Sequence, residues 1–219
     1  MSDEDEHATA EPGGNLSALA YRAIAGLIRS HDLRSGEAIV EAKLAEALAI
    51  SRTPIREALQ RLEGEGLIVK TAGRSYMVRR VTLTEYLQSL RVREILEPEA
   101  AAAAIGRISP SAIAEVRAAI DALSKAPAYS RDAHWTCDAQ LHNLFVDACG
   151  NEIMAAMIRS LRATTHLFEI ARLQDRLTPD NTEHVAILDA LAAADAKAAR
   201  KATQQHLRSL YKFAVEVLG

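Results

Sequence analysis

Apolar residues recur at helical spacing at Leu16, Leu19, Ala23, Ile24, Leu27 and Ile28, and the pattern stops at the polar, glycine-containing stretch from His31 to Glu37. A second, shorter pattern at Val40, Leu44, Ala45 and Leu48 predicts another helix. Ser51, Thr53 and Pro54 then announce a third, because Ser or Thr can cap a helix start and Pro is tolerated in the first turn. This third helix turns Ile55, Leu59 and Leu62 inward and carries Arg52, Thr53, Arg56 and Gln60 on a polar stripe beside them. Two short helices with a tight turn predict a helix-turn-helix. Gly66, the β-prone Leu67-Ile68-Val69, a turn at Ala72-Gly73-Arg74 and Tyr76-Met77-Val78 predict a two-stranded hairpin after it, the wing.

Past the basic Arg79-Arg80 pair the pattern changes. Thr82 with Glu85 three residues on forms a capping box, and no strand signal follows. Helix starts at Ser109-Pro110 and Thr178-Pro179 and a stop at Gly150-Asn151 divide the remainder into about six helices, near 82–106, 110–125, 130–149, 152–173, 179–194 and 196–217. The alanine run from Ala100 to Ala104 suits close helix packing, and no repeat of fixed period is present. The expected fold is mainly α: an N-terminal winged helix-turn-helix with a short β-hairpin, and a C-terminal all-α bundle. The expected divisions are an acidic tail over 1–14, the winged domain over 15–80 and the helical domain over 81–219.

Composition adds the setting. At 219 residues and 49% hydrophobic content the chain is long enough to bury a core in each of two domains. Its two cysteines, Cys137 and Cys149, and the lack of a secretory leader or an apolar run near the roughly 18 residues of a membrane span predict a soluble, cytoplasmic protein with no membrane partner. A net charge of −3 argues against nucleic-acid binding only until it is divided. Asp3, Glu4, Asp5, Glu6 and Glu11 make the first residues acidic, a composition expected to be disordered. From Pro12 to Arg80 there are 11 Lys/Arg against 7 Asp/Glu, whereas from Val81 onward there are 15 against 17. The basic excess thus falls in the winged segment, where affinity for phosphates needs it.

A recognition helix needs side chains near its N-terminus that reach base edges, and Arg paired with guanine is the commonest specific contact. Arg52 and Arg56 occupy such positions, although a basic helix can equally present a solvated face. Leu44-Ala45, then Ser51-Arg52-Thr53-Pro54-Ile55-Arg56-Glu57-Ala58-Leu59, Leu62 and Glu65-Gly66-Leu67-Ile68 resemble the GntR-type winged helix, over about Tyr21 to Val78. The resemblance implies that Arg52, Thr53 and Arg56 face DNA and that Gly73, with Arg74 beside it, marks a wing tip entering the minor groove. Ala42 stands where some relatives place a base-contacting Arg, and Ala72 where some place a wing His, so the relatives' operator preference does not transfer.

The helical domain carries a different chemistry. Asp138 and His142 are four residues apart and share a helix face with Leu141, Phe145 and Cys149. His184 lies in line with Ile187, Leu188 and Leu191, and His206 in line with Ala199, Ala202, Leu210 and Phe213. A single polar residue on an apolar stripe is usually a hydrogen-bonded core group. One carboxylate and three imidazoles together suit a divalent transition metal and leave positions open if the ion is five- or six-coordinate. Asp138-x3-His142, His184 and His206, with Arg93-Glu-Ile-Leu-Glu-Pro-Glu-Ala-Ala101, are similar to the FCD ligand-binding domain of the FadR branch of GntR regulators, in its shorter, VanR-like form of six helices. That resemblance implies zinc, nickel or manganese as the ion and a small organic acid as effector, its carboxylate on the metal. Arg93, Arg162 and His166 are candidate effector contacts, because guanidinium forks suit carboxylates. His134 is a candidate support for the centre, while His7 and His31 are expected at the surface.

The function expected from all this is a homodimeric transcription regulator, a repressor, that binds a double-stranded DNA operator and releases or holds it according to the effector. Two other readings remain at this stage, a regulator sensing the metal itself and a metal-dependent enzyme. The enzyme reading is disfavoured because no separate carboxylate is set as a general base.

Overall fold

A computed structural model describes residues 12–72, 75–168 and 172–218. The chain divides between Arg79 and Arg80 into two compact units.

In the first unit α1 (Pro12–Arg29) packs on α3 (Arg52–Gly64), with the short α2 (Glu41–Ala47) against α3 as well. The stripe of α1 that is buried is Ala20, Ile24, Ala25 and Ile28, offset by one position from Leu19, Ala23 and Leu27. Leu16 and Leu19, expected inside, are 39% and 42% exposed. Pro54, Ile55, Ala58, Leu59 and Leu62 of α3 are all buried. Ser51 is the N-cap residue of α3 with extended backbone, but its side chain makes no capping hydrogen bond. The turn before it runs through Ala49 at φ 54°.

Strands β2 (Ile68–Lys70) and β3 (Tyr76–Val78) form the expected hairpin, paired Ile68 to Val78 and Lys70 to Tyr76. Gly66, at φ 75°, makes the turn into it from α3, a conformation that suits glycine. A strand that the pattern did not announce, β1 (Ala38–Ile39), pairs antiparallel with β3 and gives the order β1-β3-β2. Val40 follows β1 as the N-cap residue of α2 and is 47% exposed, so it belongs to the strand-to-helix junction and not to the apolar face of α2.

The second unit consists of six α-helices among the described residues: α4 (Leu83–Ala103), α5 (Pro110–Ser124), α6 (Arg131–Ala148), α7 (Glu152–Leu167), α8 (Leu177–Ala192) and α9 (Ala196–Leu218). A 3-10 turn (Leu173–Arg176) leads into α8. Thr82, Ser109, Ser130 and Asn151 each accept a backbone N–H of the first turn of the helix that follows, which satisfies one of its free donors. α7 stops at Leu167, several residues short of the expected 173, where Phe168 is already extended. α8 starts at Leu177, ahead of Thr178-Pro179, so that pair lies inside its first turn and does not cap it. α4 runs along α9 and α7, α8 packs on α9 and α5, and α6 fills the space against α5, α7 and α4. One core joins Ala100, Ala101 and Ala104 with Ile120, Leu141, Phe145, Ile158, Ile187 and Leu188. The alanines let α4 approach closely. Among the described residues no helix is long and apolar enough to cross a membrane.

Candidate metal centre

α6 buries Trp135, Asp138, Leu141, His142 and Phe145, residues spaced three and four apart that form one face of the helix. The same spacing rule turns His184 of α8 and His206 of α9 inward beside Ile187 and Leu188, and beside Leu207 and Leu210. Three helices therefore deliver their polar residues to one point. One donor atom each from Asp138, His142, His184 and His206 all lie within 4.8 Å of one another. Asp138 Oδ1 is 3.5 Å from His142 Nε2 and 3.7 Å from His184 Nε2, and the His184 and His206 ring centroids are 4.7 Å apart. The histidines are 0–1% exposed.

Two of the imidazoles are oriented by carboxylates. His142 Nδ1 donates to Glu97 Oε2 at 2.6 Å, and Glu97 is held in turn by Arg93, whose Nε donates to Oε1 at 2.6 Å and whose Nη1 donates to Thr165 at 2.9 Å. His206 Nδ1 donates to Glu183 Oε2 at 2.8 Å, and Arg176 grips both Glu183 and Asp180. With the proton of each ring committed at Nδ1, the lone pair sits on Nε2. Those two Nε2 atoms and both nitrogens of His184 are buried without a hydrogen-bond partner. Buried polar atoms left in this way cost about 1–3 kcal/mol each, and a cation is the occupant that three lone pairs and a carboxylate oxygen would satisfy together. The donor set fits a divalent transition metal.

The electrostatics agree. Burial works against the charged form of Asp138, but Arg162, His142 and the His166 hydrogen bond outweigh it and hold the carboxyl well below its usual range. Burial, with Arg162 adding to it, lowers His142 to about 4 against the pull of Glu97 and Asp138, and burial with His206 lowers His184 well below its usual value. Near neutral pH this leaves Asp138 ionised and His142 and His184 neutral, the states a metal ligand must adopt.

Of the three candidate effector contacts, two stand at the centre. Arg162 Nη2 donates to Asp138 Oδ2 at 2.7 Å, and His166 Nε2 is 3.5 Å from the same oxygen. Arg93 instead binds Glu97 and Thr165. His134 touches Asp180 at 3.1 Å, in the network that reaches His206 through Arg176 and Glu183. Sequence reasoning missed Glu97, Glu183, Arg176 and Asp180 as supports. Arg93 and Glu97 are four apart on α4, a spacing that lets them pair, but their burial beside His142 is decided by tertiary packing.

In the first unit, Arg52, Thr53, Arg56 and Gln60 are all exposed along the outer face of α3. Arg56 Nε pairs with Glu41 at 2.8 Å and keeps a side chain 61% exposed. Gly73 and Arg74 lie outside the described residues, as do His7 and the acidic tail to residue 11.

A winged helix-turn-helix with an exposed polar helix, followed by a helical unit with a buried His/Asp cluster, is the architecture of a DNA-binding transcription regulator. The model of bacterial regulatory proteins of the gntR family matches residues 16–78, and that of the FCD domain matches residues 88–209. The chain belongs to the GntR family of transcription regulators, with an FCD domain. It is similar to the Nta operon transcriptional regulator of Aminobacter aminovorans, 31% identical over 132 residues, 60% of this chain and 63% of that regulator. Against the HTH-type transcriptional regulator YcbG of Bacillus subtilis (strain 168) it is 28% identical over 88% of this chain and 87% of the relative. The structure of E. coli McbR/YncC aligns with a TM-score of 0.74 at 20% identity, covering 92% of this chain and 97% of that one. A GntR-type regulator from Rhodococcus sp. RHA1 aligns equally well, with a TM-score of 0.74 at 20% identity over 94% and 99% of the two chains. Family and relatives are regulators, and the enzyme reading falls with them.

Proposed function

We propose that this regulator holds a divalent metal ion, zinc, nickel or manganese, on Asp138, His142, His184 and His206, and that a small organic acid binding there sets its affinity for an operator. The observation that carries the reading is the convergence of partnerless imidazole nitrogens on one carboxylate. A metal ion there supplies a Lewis-acidic anchor for a carboxylate. Glu97 and Glu183 orient two imidazoles, and Arg162 and His166 hold the outer oxygen of Asp138. The near-complete burial of the histidines favours a resident ion over a metal that comes and goes as the signal.

DNA is read by Arg52, Thr53 and Arg56, with Gly73 and Arg74 at the wing. A two-fold homodimer would set two recognition helices about 34 Å apart on a pseudo-palindromic operator in the cytoplasm. Repression relieved by the acid requires a coupling of about 1–3 kcal/mol, a change in operator affinity of roughly 5- to 150-fold. Elemental analysis of native protein, with a mobility-shift titration of its upstream DNA in the presence and absence of chelator, tests the reading. One metal per chain and an acid response lost on chelation are expected; protein that carries and takes up no metal overturns it.

A further inference from the structure

On the exposed face of α3 two arginines are held differently. Arg56 donates from Nε to Oε2 of Glu41, in the first turn of α2, at 2.8 Å. Arg52, one turn earlier and also exposed, has no hydrogen bond or ion pair among the described residues. The Glu41 side chain is 25% exposed against 61% for Arg56, so the carboxylate is the anchored partner and the guanidinium the one held out. Exposed ion pairs of this kind contribute little to stability, which leaves the fold with no need of it. An anion on a face that is to meet phosphates also lowers affinity for DNA in general. What the pair does accomplish is orientation. An arginine has many rotamers, and ordering them on binding costs affinity that a contact made beforehand removes. Among the described residues only Nε of Arg56 is engaged, so both Nη groups keep their N–H donors at the other edge of the fork. Two such parallel donors match the O6 and N7 acceptors of guanine.

We propose that Glu41 is a positioning residue for base readout: it fixes Arg56 through Nε and turns the Nη edge to one guanine of the operator, so it governs discrimination among sequences and not the overall hold on DNA. This inference rests on the reading of Arg56 as a DNA contact. It requires no contact between Glu41 and DNA.

Full-length protein is titrated by fluorescence anisotropy, at one salt concentration, with DNA from upstream of its own gene trimmed by footprinting to the bound site, with that site substituted one base pair at a time, and with a duplex of unrelated sequence. Arg56→Ala identifies the position that Arg56 reads, as the one whose preference disappears. At that position Glu41→Ala lowers discrimination about fivefold or more and leaves the other positions as they were, while affinity for the unrelated duplex is unchanged or rises. A variant that had merely lost structure would lose both duplexes together. Glu41→Gln keeps an oxygen acceptor of the same reach without the charge, and it restores most of the discrimination. Glu41→Asp keeps the charge but shortens the reach; it gives the same loss as Glu41→Ala and decides the matter if that variant does not fold. The double variant Glu41→Ala/Arg56→Ala discriminates no worse than Arg56→Ala alone. Discrimination unchanged in Glu41→Ala, lost evenly at all positions, or lost as fully in Glu41→Gln overturns the positioning role while the DNA reading of Arg56 stands. Arg56→Ala that flattens no position overturns that reading and the proposal with it.

Discussion

The two units use polar residues in opposite ways. In the first, Arg52, Thr53, Arg56 and Gln60 stand on the exposed face of one short helix whose other face, Ile55, Leu59 and Leu62, is wholly buried. In the second, Asp138, His142, His184 and His206 occupy the buried faces of three helices, where apolar residues would ordinarily sit. An exposed polar stripe costs nothing to fold and waits for a charged partner. A buried cluster leaves orphaned atoms and calls for an occupant inside the protein. Surface chemistry here suits a macromolecule, and interior chemistry is what the proposed metal site rests on.

The contrast can be broken at several points. Stripping metal with a chelator should lower the stability of the helical unit by about 4 kcal/mol where the ion had been present at roughly a thousand times its dissociation constant. The winged unit should keep its melting transition, and calorimetric melts that move both units equally would remove the distinction. Leu59→Ala should do the reverse, costing the winged unit about 3 kcal/mol through a cavity in its core with metal content unchanged by elemental analysis. Glu97→Gln should weaken metal binding about 10- to 100-fold, since the amide orients His142 without the carboxylate's charge; competition against a chromophoric chelator measures it. Arg56→Ala should weaken operator binding by about 1–3 kcal/mol if it reads a base and relax preference at one position, as a mobility-shift series on mutated operators would reveal. The smallest effect belongs to Thr82→Ala, about 1 kcal/mol from the lost cap of α4, visible in chemical denaturation of the helical unit.

Legibility followed the range of the interactions. The helix-turn-helix and hairpin were readable because their signals are local: periodicity, a proline in the first turn of α3, and a glycine at the turn into the hairpin. β1 was not, since two residues cannot show a period and Ala38 and Ile39 become a strand only because β3 lies beside them. Leu16, Leu19 and Val40 were read as inward because they are apolar, yet which apolar residues of a helix are covered depends on where its neighbour lies. The four candidate ligands stood out as polar residues on apolar stripes. Glu97 and Glu183 did not, because a glutamate on a helix is unremarkable until a histidine from another helix meets it.

By itself the amino-acid order determined the helices and the hairpin, the family, and which helix faces carry arginine or histidine, through patterns that are local along the chain. Only the tertiary arrangement decided that Asp138 and three imidazoles meet at one point, that Glu97 and Glu183 orient two of those rings, and that Arg162 reaches Asp138. Those facts join α4, α6, α7, α8 and α9 across gaps of 23 to 72 residues, and helix packing, which no local pattern encodes, brings them together.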